Sequence, residues 1–270
     1  MTDTDWERIA VPQADGYDTK AVVALAASRS VVLCNRQRFV DDAGPWFDVA
    51  PIYAARLDFQ RDFGRFTTAS TDHPNILAAV NLIDAWTVGS SQARHIIRVL
   101  HPGLDRQVAF DVGWLRLASW CHSYQDAFGT LWATVHSAVG LAEAIVHEMA
   151  HHKLRACGVS FNRAEYLVVN PEWHRAPSPL LNGIARPLPA VLHAYYALLH
   201  IATLEVAILR NRIRPAAPLV VHLLRTNLGL IQRSDTLLED RLLLDRWGEA
   251  FFRALQQWRR HLFNDAERLV

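Results

Sequence analysis

The chain has 270 residues, 51% of them hydrophobic and 20% charged, with a net charge of +1. That length can bury a core in one large domain, and the near-neutral balance excludes the basic footprint of nucleic-acid binding. No run reaches the roughly 18 apolar residues of a membrane span; the nearest, 188–209, carries His193, His200 and Glu205 and reads as a buried helix.

Residues 1–6 are acidic and polar, without the positive segment and apolar run of a secretory signal, so a cytoplasmic protein is expected. Cys34, Cys121 and Cys157 lie far apart with no CxxC pair, as free thiols of a reducing compartment do. Residues 21–32 form an apolar stretch, and Pro45, Pro51 and the 64–74 region punctuate the next section of chain. Residues 75–88 read as a helix with Leu77, Val80, Leu82 and Ile83 in one stripe. Pro102-Gly103 reads as a turn, and 108–119 fits either a strand or a short helix.

The first strong helix is predicted over 132–157. Val135, Val139, Leu141, Ile145 and Met149 recur at helical spacing, Gly158 follows as a C-cap, and Lys153 and Arg155 lie in the last turns. A short β-like run at 166–169 leads into an irregular loop with Pro171, Pro177 and Pro179. Pro187 and Pro189 suit the first turn of a second long helix, which runs to about 212 and is stopped by Pro215 and Pro218. Two further helices are predicted over 219–231 and 234–263. The expected fold is mainly α, one helical domain over 1–270 with a few short strands. Residues 1–130 form its N-terminal helical part and 131–270 a helical core with a metal site between the two long helices.

The chemistry lies in His147-Glu148-Met149-Ala150-His151-His152. Histidines at i and i+4 share one helical face, so His147 and His151 can bind the same ion while Glu148 stands beside them as a base or ligand holder. His152 lies off that face, as an outer or surface residue. A third ligand must come from elsewhere, because zinc and non-haem iron sites commonly use three protein ligands and keep positions open. Glu165, Glu172, His174, His193, His200 and Glu205 are candidates; His193, near the start of the second long helix, is preferred. Arg186, seven residues earlier, could grip a carboxylate with its planar fork.

The run from His147 to Leu154, the proline-rich loop, and Arg186-Pro187-Leu188-Pro189-Ala190-Val191-Leu192-His193-Ala194-Tyr195-Tyr196-Ala197 together resemble the HExxH-type 2-oxoglutarate-dependent peptide β-hydroxylases. These enzymes act on ribosomally made precursor peptides. The resemblance covers residues 143–205, about a quarter of the chain. It implies Fe(II) held by His147, His151 and His193, with open positions for 2-oxoglutarate and O2. It also implies Arg186 on the distal carboxylate, Glu148 hydrogen-bonded to a ligand, and a precursor peptide as substrate, with neither nucleic acid nor membrane as partner. The alternative is a cytosolic HExxH metallopeptidase, in which Zn(II) and Glu148 activate a water and the third ligand is Glu172, Glu205 or His193.

Overall fold

A computed structural model of the chain describes residues 4–29, 32–33, 46–49, 65–106, 120–123, 127–178, 184–213 and 216–270. The expectations for Cys34, Pro45, Pro51 and 108–119 lie outside the described residues.

In chain order the elements are α1 (Trp6–Ala10), α2 (Tyr17–Ser28), β1 (Val32–Leu33), β2 (Asp48–Val49), β3 (Phe66–Thr68), α3 (Pro74–Asp84), α4 (Thr87–Ile96) and β4 (Val99–Asp105). After them come β5 (Cys121–Ser123), β6 (Ala127–Phe128), β7 (Thr130–Thr134), α5 (Ala138–Ala156), β8 (Arg175–Pro177), β9 (Ala185–Pro187), α6 (Leu188–Arg210), α7 (Ala217–Arg241) and α8 (Arg246–Ala266). The fold is mainly α with small sheets, as the apolar spacing predicts.

The main sheet runs β2-β4-β7-β5, with β3 antiparallel to the far half of β4. β2, β4 and β7 are parallel, and β5 closes the order antiparallel to β7, with Cys121 opposite Ala133. The helix predicted from 132 therefore begins too early. Thr130 to Thr134 are all buried, as in a central strand covered on both faces, and such a run carries no period that separates strand from helix. The helix starts after Ser137, whose Oγ accepts from the Gly140 N–H at 3.3 Å.

Pro102-Gly103 is likewise not a turn but the middle of β4. The Pro102 carbonyl still accepts from the Ala69 N–H at 2.9 Å, and the missing Cβ of Gly103 makes room for Trp132, whose indole would stand 2.4 Å from it. The break expected near 232 falls instead at 242–245. Ser234 is buried in mid-helix with its Oγ donating to the Leu230 carbonyl at 2.8 Å, while Asp245 caps α8 through the Trp247 and Gly248 N–H groups.

α5 lies between the sheet and α6; α6 pairs with α7, and α8 returns to α1. One apolar core runs from Trp6 to Ala266. α6 is long and apolar enough to cross a membrane, but 89% of its most apolar window is buried inside the protein. Residues 166–169 make only an isolated antiparallel bridge, Val168 to Leu244, rather than a strand: Leu167 has φ 71°, and its N–H and carbonyl are both bonded to Asp245. That clamp fixes the segment after α5 against the α7–α8 corner. Gly158 takes φ 86° just past the α5 C-cap.

Candidate metal centre

His147 and His151 stand one turn apart on α5, their ring centroids 4.3 Å apart. α6 packs along α5 and brings His193, fully buried in its second turn, to within 5.0 Å of His151, centroid to centroid. The Val159 carbonyl lies 2.9 Å from His193 Nε2. A carbonyl only accepts, so Nε2 carries the proton and Nδ1 keeps its lone pair. That lone pair accepts from the His151 Nδ1–H at 3.1 Å, a separation that a shared ion could also span. With metal–nitrogen bonds of about 2.0–2.1 Å, two imidazoles on one ion stand about 2.9 Å apart at a right angle and about 3.3 Å at a tetrahedral one. The pair fits one ion, and the carbonyl behind His193 is the kind of outer partner that fixes a ligand's tautomer.

His147 leans to the other side. Among the described residues, the group of three donors all within 4.8 Å of one another is Cys121, His147 and Glu148. Glu148 is 2% exposed, with Oε1 3.9 Å from His147 Nε2 and the buried Oε2 lacking a hydrogen-bond partner among the described residues. Cys121 comes from β5, the strand beside β7; burial and the nearby Glu148 carboxylate push its thiol well above the usual range. The donors thus form a chain, Cys121 and Glu148, then His147, His151 and His193, in which His151 is the shared centre. His147 keeps 24% of its side chain exposed and marks the side open to solvent.

Three residues that the sequence does not single out shape this site. Phe161 packs on His151 and His193 with centroids 5.0 and 4.4 Å away. Arg155 lays its guanidinium 5.0 Å from the Phe161 ring centroid, and its Nη1 donates to Ser123 Oγ at 2.7 Å. Cys121 is the third. The i, i+4 and i+8 spacing of His147, His151 and Arg155 is a usable signal for the arginine; no local signal joins Cys121 to the helix.

Arg186 stands exposed on β9 opposite Ala176, with no hydrogen bond or ion pair among the described residues. His152 is not a surface residue: it is 1% exposed, with Nε2 3.3 Å from the Thr130 carbonyl and its ring on Phe128. His200 is enclosed by Trp86, Tyr196 and Trp258. Glu165 pairs with Arg29, His174 with Asn170, and Glu205 accepts from Asn227. Lys153 serves no helix end; it is buried against Asp18.

Burial holds these imidazoles neutral, the form that binds metal. It lowers His193 and His152 to about 3, and His151, with His147 and His193 beside it, well below the usual value. The unfolded chain therefore binds more protons than the fold between about pH 6.5 and 3, and stability is lost as pH falls through that window. The buried Glu143, raised to about 7, and Glu205, also raised, act oppositely above about pH 4.5. Several imidazoles against two carboxyls decide the sign, each group contributing up to about 1.4 kcal/mol per pH unit. Urea unfolding of the metal-free protein at pH 7 and pH 5 should show the lower stability at pH 5. Equal values would mean that the imidazoles take up protons in the fold.

No known protein-family model matches the chain, and no curated protein matches it, so the functional reading rests on this geometry.

Proposed function

We propose that the chain is an Fe(II)- and 2-oxoglutarate-dependent oxygenase that hydroxylates an unactivated C–H, the β-carbon of a residue in a ribosomally made peptide. The observation that supports this reading is a run of imidazoles on two packed helices, His147 beside His151 and His151 beside His193, with Glu148 and a half-buried arginine nearby. When bound, the iron supplies oxygen activation coupled to decarboxylation of the co-substrate to succinate. Neutral imidazoles give a divalent ion no charge compensation, so the centre favours an anionic ligand in its open positions. The Val159 carbonyl keeps the proton on His193 Nε2 and its Nδ1 unprotonated, and Phe161 packs on the His151–His193 side. The unpartnered Glu148 Oε2 can accept a hydrogen bond from a water or ligand at the His147 side. Val169, Trp173 and Ile184 are exposed apolar side chains around the loop after α5, a surface suited to a peptide.

The test combines elemental analysis with turnover. Anaerobic Fe(II) plus 2-oxoglutarate should give a weak visible charge-transfer band. Aerobic turnover should yield succinate and a peptide heavier by one oxygen atom. A fully iron-loaded protein with neither band nor succinate would end the reading.

One observation favours a second reading. Cys121 beside His147 and Glu148 offers a soft sulfur donor next to a buried carboxylate, a set that suits zinc and a Glu148-activated water. Zinc in the purified protein together with peptide cleavage would replace the oxygenase by a hydrolase.

A further inference from the structure

At the C-terminal end of α5 lies a cavity of about 530 Å³ lined by Arg29, Arg155, Gly158, Arg163, Glu165 and Glu172 among others. Its charges are unequal in kind. Arg29 is already neutralised by Glu165 at 2.7 Å, and Arg163 stands exposed at the rim. Arg155 is half-buried and makes no ion pair among the described residues. Its Nη1 is held by Ser123, while its buried Nε has no hydrogen-bond partner among the described residues. A guanidinium taken out of water normally has a carboxylate or phosphate against it, because the fork presents donors in a plane that such a group matches. Here the protein supplies the Ser123 hydroxyl and carbonyl and the field of the Glu148 carboxylate, but no direct ion pair among the described residues, and Arg155 lines the cavity. Gly158 helps keep that space: a Cβ there would come 2.7 Å from Arg29 Nη2. Phe161 links Arg155 to the imidazoles: its ring centroid lies 5.0 Å from the Arg155 guanidinium, 5.0 Å from the His151 ring and 4.4 Å from the His193 ring.

We propose that Arg155, rather than Arg186, receives a carboxylate of a small dicarboxylate ligand that enters through this cavity. The name of that ligand, 2-oxoglutarate, rests on the oxygenase reading; the carboxylate chemistry rests on the bare guanidinium and the space before it. The Arg186 side chain, exposed on β9, makes no contact with these residues among the described ones.

The probes are glutarate, which has two carboxylates and no keto group to chelate a metal, and butyrate, which has one. Glutarate should bind the full metal-free chain more tightly than butyrate does. A hydrogen-bonded charged contact is worth about 1.5–3 kcal/mol, so Arg155→Ala should weaken glutarate binding, and raise the KM for 2-oxoglutarate in the iron-loaded enzyme, by about 10- to 150-fold. Arg225→Ala, on the exposed face of α7, should change neither. Unchanged binding in Arg155→Ala, or the same loss in Arg186→Ala alone, overturns the assignment.

A wild-type measurement stands if the variant does not fold. Phenylglyoxal labels accessible arginines, and glutarate should protect Arg155 from it as read by peptide mass spectrometry; absence of protection refutes the proposal. Protection by an acidic peptide but not by glutarate would place the carboxylate on a substrate side chain and also overturn it. Succinate formation that ignores Arg155 would leave the oxygenase reading standing and remove this one. Protection of Arg155 without any succinate would do the reverse.

Discussion

His193→Ala is expected to abolish metal retention: a protein that carries about one equivalent of metal should fall below about a tenth of that after gel filtration. The reason lies in the division of labour among the imidazoles. His151 and His193 present two nitrogens at 3.1 Å, and only His193 has its second nitrogen committed to a carbonyl. Removing it leaves His147 and His151, two ligands from one helix, against the three that mononuclear centres commonly use. The fold should survive. The cost is a small cavity plus a Val159 carbonyl left without its donor, about 1–3 kcal/mol for the carbonyl. His193→Gln tests the same point with the volume kept and a donor available to Val159; it should also lose the metal. Metal retained at full stoichiometry in both variants would remove His193 from the centre and turn attention to Cys121, His147 and Glu148.

How far the sequence reaches differs between the helices and the rest. The i, i+4 pair on α5 and the proline-opened start of α6 are legible because both come from local rules: side-chain period, and proline at a position whose N–H is unpaired. His193 is legible only as a choice among six side chains, since nothing local says which part of α6 faces α5. Arg155 is visible but easily misread. A cation in the last turn of a helix has a ready explanation in the helix dipole, and that explanation hides the cavity it lines. Lys153 is misread in the same way. Cys121 cannot be found at all, because its place depends on the antiparallel pairing of β5 with β7, a long-range choice that no short window encodes. The strand β7 is lost inside a predicted helix because a run buried on both faces has no period to read.

The largest effect on folding is expected from Asp18→Ala. Lys153, on α5 next to His152, is 1% exposed, and its only carboxylate partner among the described residues is Asp18 on α2, 0% exposed, with Nζ and Oδ2 2.8 Å apart. Gln92 on α4 joins both: its Oε1 accepts from Lys153 Nζ at 3.2 Å and its Nε2 donates to Asp18 Oδ2 at 2.6 Å. Truncating Asp18 strands an ammonium in the core beside the Tyr196 ring, 5.7 Å from its centroid. Breaking a buried pair in this way costs about 3–5 kcal/mol, which for a chain of this size lowers Tm by on the order of 10 °C. Lys153→Met should cost less, because the carboxylate left behind keeps the Gln92 amide and the Gln13 N–H at 3.1 Å. The double variant Asp18→Ala with Lys153→Met should be more stable than Asp18→Ala alone, since it removes the stranded charge. If the double variant is instead as unstable as the two single losses summed, the pair is not coupled, and α2 and α4 hold α5 by apolar contact alone.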